Sequence, residues 1–279
     1  MTVGAAGKIR FAARKNSRVA YRINGAPGRE PVVFLHDLLF TQSVFAAIET
    51  PGLVPDLRGH GASATLANQW YSLAELADDV AAILDAENAP SAHLVGHGLG
   101  GTIAFEFAKK HPGRSRSLTL IEPNLYAVLE KDLDRGARTL REERRTSDRA
   151  AGDAAYKQLV DKSLDGYLTP RFGADWRSRA SKGRSGAIRR NAGALAGMLP
   201  ALDSFTPSRG DIERVVSPTL LLLGADAAPV DQISVARLAG YLPNARIESF
   251  VFNDRLNDPF GKESARSLDQ LAGSISAGL

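Results

Sequence analysis

Eight short apolar runs alternate with helical patterns along the chain, and that alternation restricts the fold more than any other feature. The runs are "KIRFAA" (8–13), "RVAYRI" (18–23), "PVVFLH" (31–36), "GLVPDL" (52–57), "AHLVGH" (92–97), "SLTLIE" (117–122), "TLLLLG" (219–224) and "ARIESFVF" (245–252). From the third onward they are nearly continuously apolar, as parallel strands covered on both faces must be. Between them, "SLAELADDVAAILDAEN" (72–88) places Leu73, Leu76, Val80, Ile83 and Leu84 on one helical face. Ser72 and Glu75 have the spacing of a capping box at its start. "GGTIAFEFAKKHPG" (100–113) reads as a second helix ended by its proline. The expected fold is α/β: a mostly parallel eight-stranded sheet with helices on both faces.

The alternation stops between residues 125 and 210. That stretch reads as helices without strands and is too long for a plain loop. It is expected to be a helical cap or lid over a core domain made of residues 1–124 and 211–279. Residues 126–200 hold 16 Lys/Arg against 10 Asp/Glu, so the surplus of positive charge gathers there. The densest part, "WRSRASKGRSGAIRR" (176–190), reads as a solvated arginine-rich face or an entry patch for an anionic ligand. Aromatic residues are not interleaved with its basic ones, which argues against nucleic acid as a partner.

Other classes drop out on composition. The 279 residues include no cysteine, so thiolate metal sites, disulfides and a cysteine nucleophile are excluded. No apolar run reaches the length of a membrane span, and the first residues lack a secretory pattern, so a cytoplasmic protein without membrane partners is expected. The histidine pair His93 and His97 is spaced i, i+4 across a strand and its end rather than along a helix, where that spacing would bring two ligands together, so no metal site is expected. No cofactor is expected either. The expected partner is a small molecule, and oligomeric state is left open.

"LVGHGLGG" (94–101) admits two readings. Gly96, Gly98 and Gly101 fit a dinucleotide-binding G-x-G-x-x-G, with Glu122 at a fitting distance for a ribose. Against this, the loop follows the fifth strand rather than the first, and His97 would crowd the pyrophosphate. The stretch also fits a nucleophile turn between strand and helix, with glycine where the nucleophile would stand.

Four motifs together resemble the α/β-hydrolase superfamily over nearly the whole chain: "FLHD" (34–37), "PDLRGHGAS" (55–63), "LVGHGLGG" (94–101) and "PTLLLLGAD" (218–226). The resemblance implies a Ser–His–Asp triad, and the three positions fall on Gly98, Ala227 and Phe252. No histidine follows His111. A degenerate triad is therefore expected, because none of these side chains can carry a proton. The resemblance also implies an oxyanion site built from the backbone N–H groups of Leu38 and Leu99.

Candidates for chemistry around that turn are Glu122, His36 and Asp37. Glu122 ends the sixth strand, where haloalkane dehalogenases carry their catalytic acid; it reads equally as an ion-paired structural carboxylate. His36 is the best-placed imidazole, with a structural role behind the oxyanion loop as the alternative. Asp37 replaces a usual glycine, and its charge enters the loop or faces solvent. Asp226 and Asp254 neighbour the lost positions and read as surface residues. His97 reads as core beneath the sheet and His60 as a loop brace, with His93 at a sheet edge. Gly98, Trp70, Tyr126 and Phe252 are expected to line the pocket, with Tyr71 and Tyr167 as further aromatic candidates. The favoured function is a non-hydrolytic, cofactor-free lyase, cyclase, isomerase or dehydratase acting on a small, largely apolar molecule under the cap. Relatives with altered triads, in secondary metabolism, suggest such chemistry. The alternatives are an inactive homologue (a pseudoenzyme) that binds a ligand or partner, and a residual hydrolase with an unorthodox base.

Overall fold

The computed structural model describes residues 8–14, 17–63, 71–129 and 153–276. Eight strands form one sheet: β1 (Arg10–Arg14), β2 (Ser17–Asn24), β3 (Val32–Leu35), β4 (Gly52–Pro55), β5 (Ala92–His97), β6 (Ser115–Ile121), β7 (Thr219–Gly224) and β8 (Ala245–Phe250). Each falls on one of the expected apolar runs. Their order is β1-β2-β4-β3-β5-β6-β7-β8. β1 and β2 pair antiparallel, β2 joins β4 antiparallel, and every pairing from β4 to β8 is parallel.

The order reverses at β3 and β5, which lie side by side although β4 separates them in sequence. A parallel sheet opens a crevice beyond the carboxyl ends of its strands at such a reversal. The register decides what meets there. Leu35 pairs with Gly96, His97 with Ile121, and Gly224 with Phe250. The residues just past these strand ends, Asp37, Gly98, Glu122 and Phe252, therefore gather along one edge.

Alternate strand residues feed two cores, one on each face. Val33, Leu35, Leu53, Leu94 and Leu118 pack with helices α1 (Leu73–Ala86) and α2 (Leu99–Lys110). Phe34, Val54, Val95, Ile121 and Leu222 face the other way, against Phe45, Phe250 and Phe260. In α1, all five residues of the expected apolar face are buried, and Ser72 and Glu75 form the reciprocal capping box. Burying each such side chain stabilises by roughly 1.5–3 kcal/mol.

Between β6 and β7 the described elements are helical: a 3-10 turn at Tyr126–Leu129, then α3 (Asp153–Phe172), α4 (Trp176–Arg179), α5 (Lys182–Asn191), α6 (Leu195–Ser204) and α7 (Arg209–Glu213). α8 (Pro229–Tyr241) follows β7 and α9 (Lys262–Ser276) follows β8 among the described residues. The arginine-rich stretch is not one solvated face. Arg184 is 6% exposed and donates to Leu39 O (2.6 Å) and Leu256 O (2.8 Å), with its guanidinium 3.7 Å from the Phe40 ring centroid. Arg177 pairs with Asp165 and Arg179 with Asp175, both at the surface.

Two of the glycines in "LVGHGLGG" owe their identity to packing rather than to a phosphate. A Cβ at Gly96 would stand 2.3 Å from Gly100 O, and one at Gly100 would stand 2.2 Å from Leu35 O. Helix α2 therefore starts in direct backbone contact with β3 and β5. Gly100→Ala forces the helix off the strands and is expected to lower the unfolding free energy by about 1–3 kcal/mol or more, measured by urea denaturation; an unchanged midpoint would contradict this packing.

Candidate active site

Gly98 is the N-cap of α2 and has φ +53°, a backbone conformation that favours glycine. Its N–H donates to Ile121 O (2.9 Å), and its own carbonyl accepts from Thr102 N (3.1 Å) and Asn124 N (3.2 Å). The sharp strand-to-helix turn is thus built without a side chain at its apex.

That apex is filled from another loop. The Asp37 carboxylate lies where a side chain at 98 would begin: a Cβ there would stand 2.1 Å from Asp37 Oδ1. Oδ1 accepts from the Leu99 N–H (2.7 Å). The Tyr167 hydroxyl reaches both carboxylate oxygens, at 2.9 and 3.0 Å, and Asn124 Nδ2 approaches Oδ1 at 3.4 Å. Asp37 is 4% exposed, so these donors replace its hydration. The Leu99 N–H, expected to serve an oxyanion, is bonded to Asp37. Leu38 is buried in the same turn.

The loop that carries Asp37 is pinned by two histidines. His36 Nε2 accepts from Leu57 N (2.9 Å), and its Nδ1 bonds Asp37 O (2.8 Å). His60 Nε2 accepts from Leu39 N (3.1 Å), and its Nδ1 bonds Arg58 O (2.9 Å). The two rings meet edge to face at 5.1 Å. His36 was expected as a proton-transfer candidate with a structural role as the alternative; both its ring nitrogens are engaged with backbone, and the ring is fully buried. His60 braces its loop as expected. The rest of "PDLRGHGAS" is also bracing. Asp56 accepts from Gln42 N, Gln42 Nε2 and Ala62 N at 2.8, 2.8 and 2.9 Å, and Arg58 grips Asp79 at 2.5 Å.

Glu122 follows β6 with φ +44°, a strained setting for a residue with a side chain. Its Oε1 accepts from Gly224 N (3.0 Å), and its Oε2 is ion-paired with Arg255, which also binds Asp226 at 2.7 Å. The carboxylate thus ties together the ends of β6 and β7 and the segment after β8. Asp226 is largely exposed and held by Arg255. Asp254 caps its own turn through the N–H groups of Leu256 and Asn257.

Asp37, His97, Gly98, Glu122, Asn124, Arg171, Phe172, Asp231 and Arg255 line a cavity of about 20 Å³. That volume holds about one water. Most of the lining is charged or polar, which does not suit the small, largely apolar molecule expected from sequence. His97, read from sequence as core, is part of this wall. Of the expected pocket residues, Gly98 lines the cavity, while Tyr126 stands behind it, donating to Asp231 (2.8 Å) and contacting Arg171. Phe252 packs on His97 with centroids 5.6 Å apart. Ala227 is buried in the turn after β7. Trp70 lies outside the described residues. Sequence reasoning missed Asn124, Arg171, Asp231 and Arg255 altogether, because their approach depends on helix placement. Asn124 stands three residues past β6, in the loop that faces the turn. Among the described residues no cluster of three or more His, Asp or Glu could hold a metal, and no helix is long and apolar enough to cross a membrane.

Burial dominates the titration of this region. It pushes His36 and His97 down to about 4 and His60 to about 3, and it pushes Glu122 up to about 7 against the pull of Arg255. Between pH 5 and 6 the unfolded chain protonates each of these three histidines, whereas the folded chain does not. Glu122 does the reverse, being protonated only when folded. The unfolded state then binds about two protons more, so stability is expected to rise with pH by roughly 2–3 kcal/mol per unit in that window. Urea unfolding at pH 5 and pH 6 checks it; a flat or falling line would contradict the buried, neutral histidines.

Comparison with known proteins fits this geometry. Residues 49–254 match the family model described as alpha/beta hydrolase fold. A protein of Caulobacter vibrioides named "Putative carbamate hydrolase RutD" is 28% identical over 244 residues, covering 81% of this chain and 84% of its own. One of the same name from Variovorax paradoxus is 34% identical over 119 residues, 39% of this chain and 45% of its own length. Among solved structures, a hydrolase from Pseudomonas aeruginosa PA01 superposes with a TM-score of 0.72 at 23% identity, covering 99% of this chain and 100% of that one. The enol-lactonase from Burkholderia xenovorans LB400 gives 0.67 at 21% identity, over 96% and 100%. The chain belongs to the alpha/beta hydrolase fold family.

Proposed function

We propose that the chain hydrolyses a small, polar ester, lactone or carbamate by direct attack of water, with Asp37 as the base. The observation that carries this reading is the Asp37 carboxylate, held on the Leu99 N–H in the space a side chain at 98 would take. A carboxylate at that point stands where the family's chemistry begins, and Gly98 offers no hydroxyl to form an acyl-enzyme. The names of the relatives, carbamate hydrolase and enol-lactonase, favour hydrolysis over the lyase, cyclase, isomerase or dehydratase expected from sequence. They equally disfavour a pseudoenzyme. Of the alternatives weighed from sequence, the hydrolase with an unorthodox base is the one retained, with the base moved from His36 to Asp37.

In the step itself, the water oxygen bonds to the carbonyl carbon while one water proton passes to Asp37. The tetrahedral intermediate then collapses, and the proton on Asp37 goes to the leaving oxygen or nitrogen. Acid and alcohol, or acid and amine, are the products, and Asp37 returns to its ionised form. With the Leu99 amide committed to Asp37, the Leu38 N–H and Arg171 are the donors proposed for the developing oxyanion. Glu122, tied to Gly224 and Arg255, holds the floor of the site in this scheme.

Asp37→Asn preserves the size and the Leu99 contact but removes the base. It is expected to lower kcat for p-nitrophenyl acetate by about 10²–10⁴. Turnover in ¹⁸O-labelled water distinguishes base from nucleophile, since label found in the Asp37 carboxylate by peptide mass analysis would mean a covalent ester. An Asp37→Asn variant with full activity would overturn the reading outright.

Gly98→Ser gives a second check. Its Cβ would collide with Asp37 and strain the φ +53° turn, at about 1–3 kcal/mol for the strain alone. The variant is expected to unfold at lower temperature and to lose, not gain, esterase activity. Vigorous hydrolysis by this single variant would show that a serine at 98 finds its own base.

A further inference from the structure

The last strand of the sheet leaves one side open. β8 lies at the end of the strand order and pairs only with β7 among the described residues. Ile247, at its middle, is 45% exposed, and Val251, just past its end, is 71% exposed. Val216, whose carbonyl accepts from Asn244 Nδ2 at the start of β8, is exposed as well. An open edge with apolar side chains invites another strand, and proteins commonly guard such edges with charge. β8 carries two charges, Arg246 and Glu248, ion-paired with each other at 3.0 Å.

The register with β7 fixes which way the groups of β8 point. Arg246, Ile247 and Glu248 pair with Leu220, Leu221 and Leu222. Leu221 belongs to the core around α1 and α2, whereas Leu220 and Leu222 belong to the opposite core. Ile247 therefore stands on one face of the sheet, with Ala245 and Ser249, and the two charges stand on the other. The main chain alternates too. Thr219 N donates to Asn244 O (2.8 Å), so the even-numbered residues of β8 turn their peptide groups toward β7. The N–H and C=O groups of Ala245, Ile247 and Ser249 point away from the sheet.

We propose that this edge is a dimer interface, in which β8 pairs antiparallel with β8 of a second copy about a two-fold axis at Ile247. In that register Ile247 meets its own counterpart and Ala245 meets Ser249, the residues whose N–H and C=O groups point outward. They exchange about six main-chain hydrogen bonds. Arg246 faces Glu248 of the second copy, and Glu248 faces Arg246, across the closer, non-hydrogen-bonded pairs of the ladder. Charges that guard the edge against an arbitrary strand thus match a second copy of this one. A register centred on Ala245 sets Arg246 against Asn244, and one centred on Ser249 sets Glu248 against Phe250, so the Ile247 register is the one that matches the charges. On the other face the two Ile247 side chains meet between small residues. The surface is self-complementary, as a two-fold contact requires.

Sedimentation equilibrium of the wild-type chain is expected to show a dimer. Arg246→Glu alone and Glu248→Arg alone each set like charges opposite each other, and each is expected to raise the dissociation constant about tenfold or more. Mixing the two variants restores opposite charges at every pair, so the mixture is expected to dimerise again. Loss of dimer through misfolding would not be repaired by mixing. The chain has no cysteine, which lets the register be read directly. Ile247→Cys is expected to form a disulfide between copies under mild oxidation, since its paired Cα atoms would lie about 5.5 Å apart. Ser249→Cys, opposite Ala245, is expected to remain uncrosslinked. A wild-type chain that stays monomeric up to millimolar concentration would overturn the proposal. So would a dimer indifferent to both charge reversals, or equal crosslinking of the two cysteine variants.

Discussion

The hydrogen bond from the Leu99 N–H to Asp37 Oδ1 is the contact on which the site depends. It requires glycine at 98, since any Cβ there would overlap the carboxylate. It also requires the loop after β3 to stay where it is, and several interactions converge on that loop. Leu39 sits at φ +68°, a conformation a leucine adopts only when its surroundings compel it. Its N–H is fixed by His60, and its carbonyl by Arg184 and Asn191 from α5. Asp37 itself is held at the carbonyl by His36 and at the carboxylate by Tyr167 from α3. Core and helical segment therefore both hold Asp37 and Leu39.

Much of the fold could be read from the sequence, because the signals involved are local. Continuous apolar runs mark strands covered on both faces, and the Ser72–Glu75 spacing marks a helix start, whatever the rest of the chain does. "PDLRGHGAS" stood out through the family resemblance instead. Its residues serve one another and the neighbouring loop: Asp56 with Gln42 and Ala62, His60 with Leu39.

The site was less legible, since its defining contacts join residues far apart in sequence. Nothing near His36 indicates that its Nε2 is claimed by the Leu57 amide, 21 residues away. Asp37 stood out only as an acid in place of glycine, and its direction depends on Tyr167, 130 residues on. His97 is buried among Phe40, Phe252 and Phe260, as its reading as a core residue has it, and its place on the cavity wall comes only with the tertiary fold. The polar lining escaped as well. Arg171, Asp231 and Arg255 come from α3, α8 and the segment after β8, and only tertiary packing brings them to one point.

A cavity that admits about one water cannot hold an organic substrate beside it. Anything larger must displace part of the wall, and the wall differs in how firmly each part is held. Asp37, Gly98 and His97 rest on the ends of β3 and β5, the centre of the sheet, with backbone or ring contacts on several sides. Arg171 and Phe172 come instead from the last turn of α3, and Arg171 reaches the core through side-chain bonds to Asn124 and Tyr126. Displacing α3 would break those bonds and the Tyr167 hydroxyl contact while leaving Asp37 on the Leu99 amide. The carboxylate would then lose the Tyr167 donor and keep the Leu99 N–H that orients it. In the proposed hydrolysis the base, Asp37, is held at the sheet ends while Arg171 and Phe172 come from the helix, so the two sides of the wall can be altered by mutation independently.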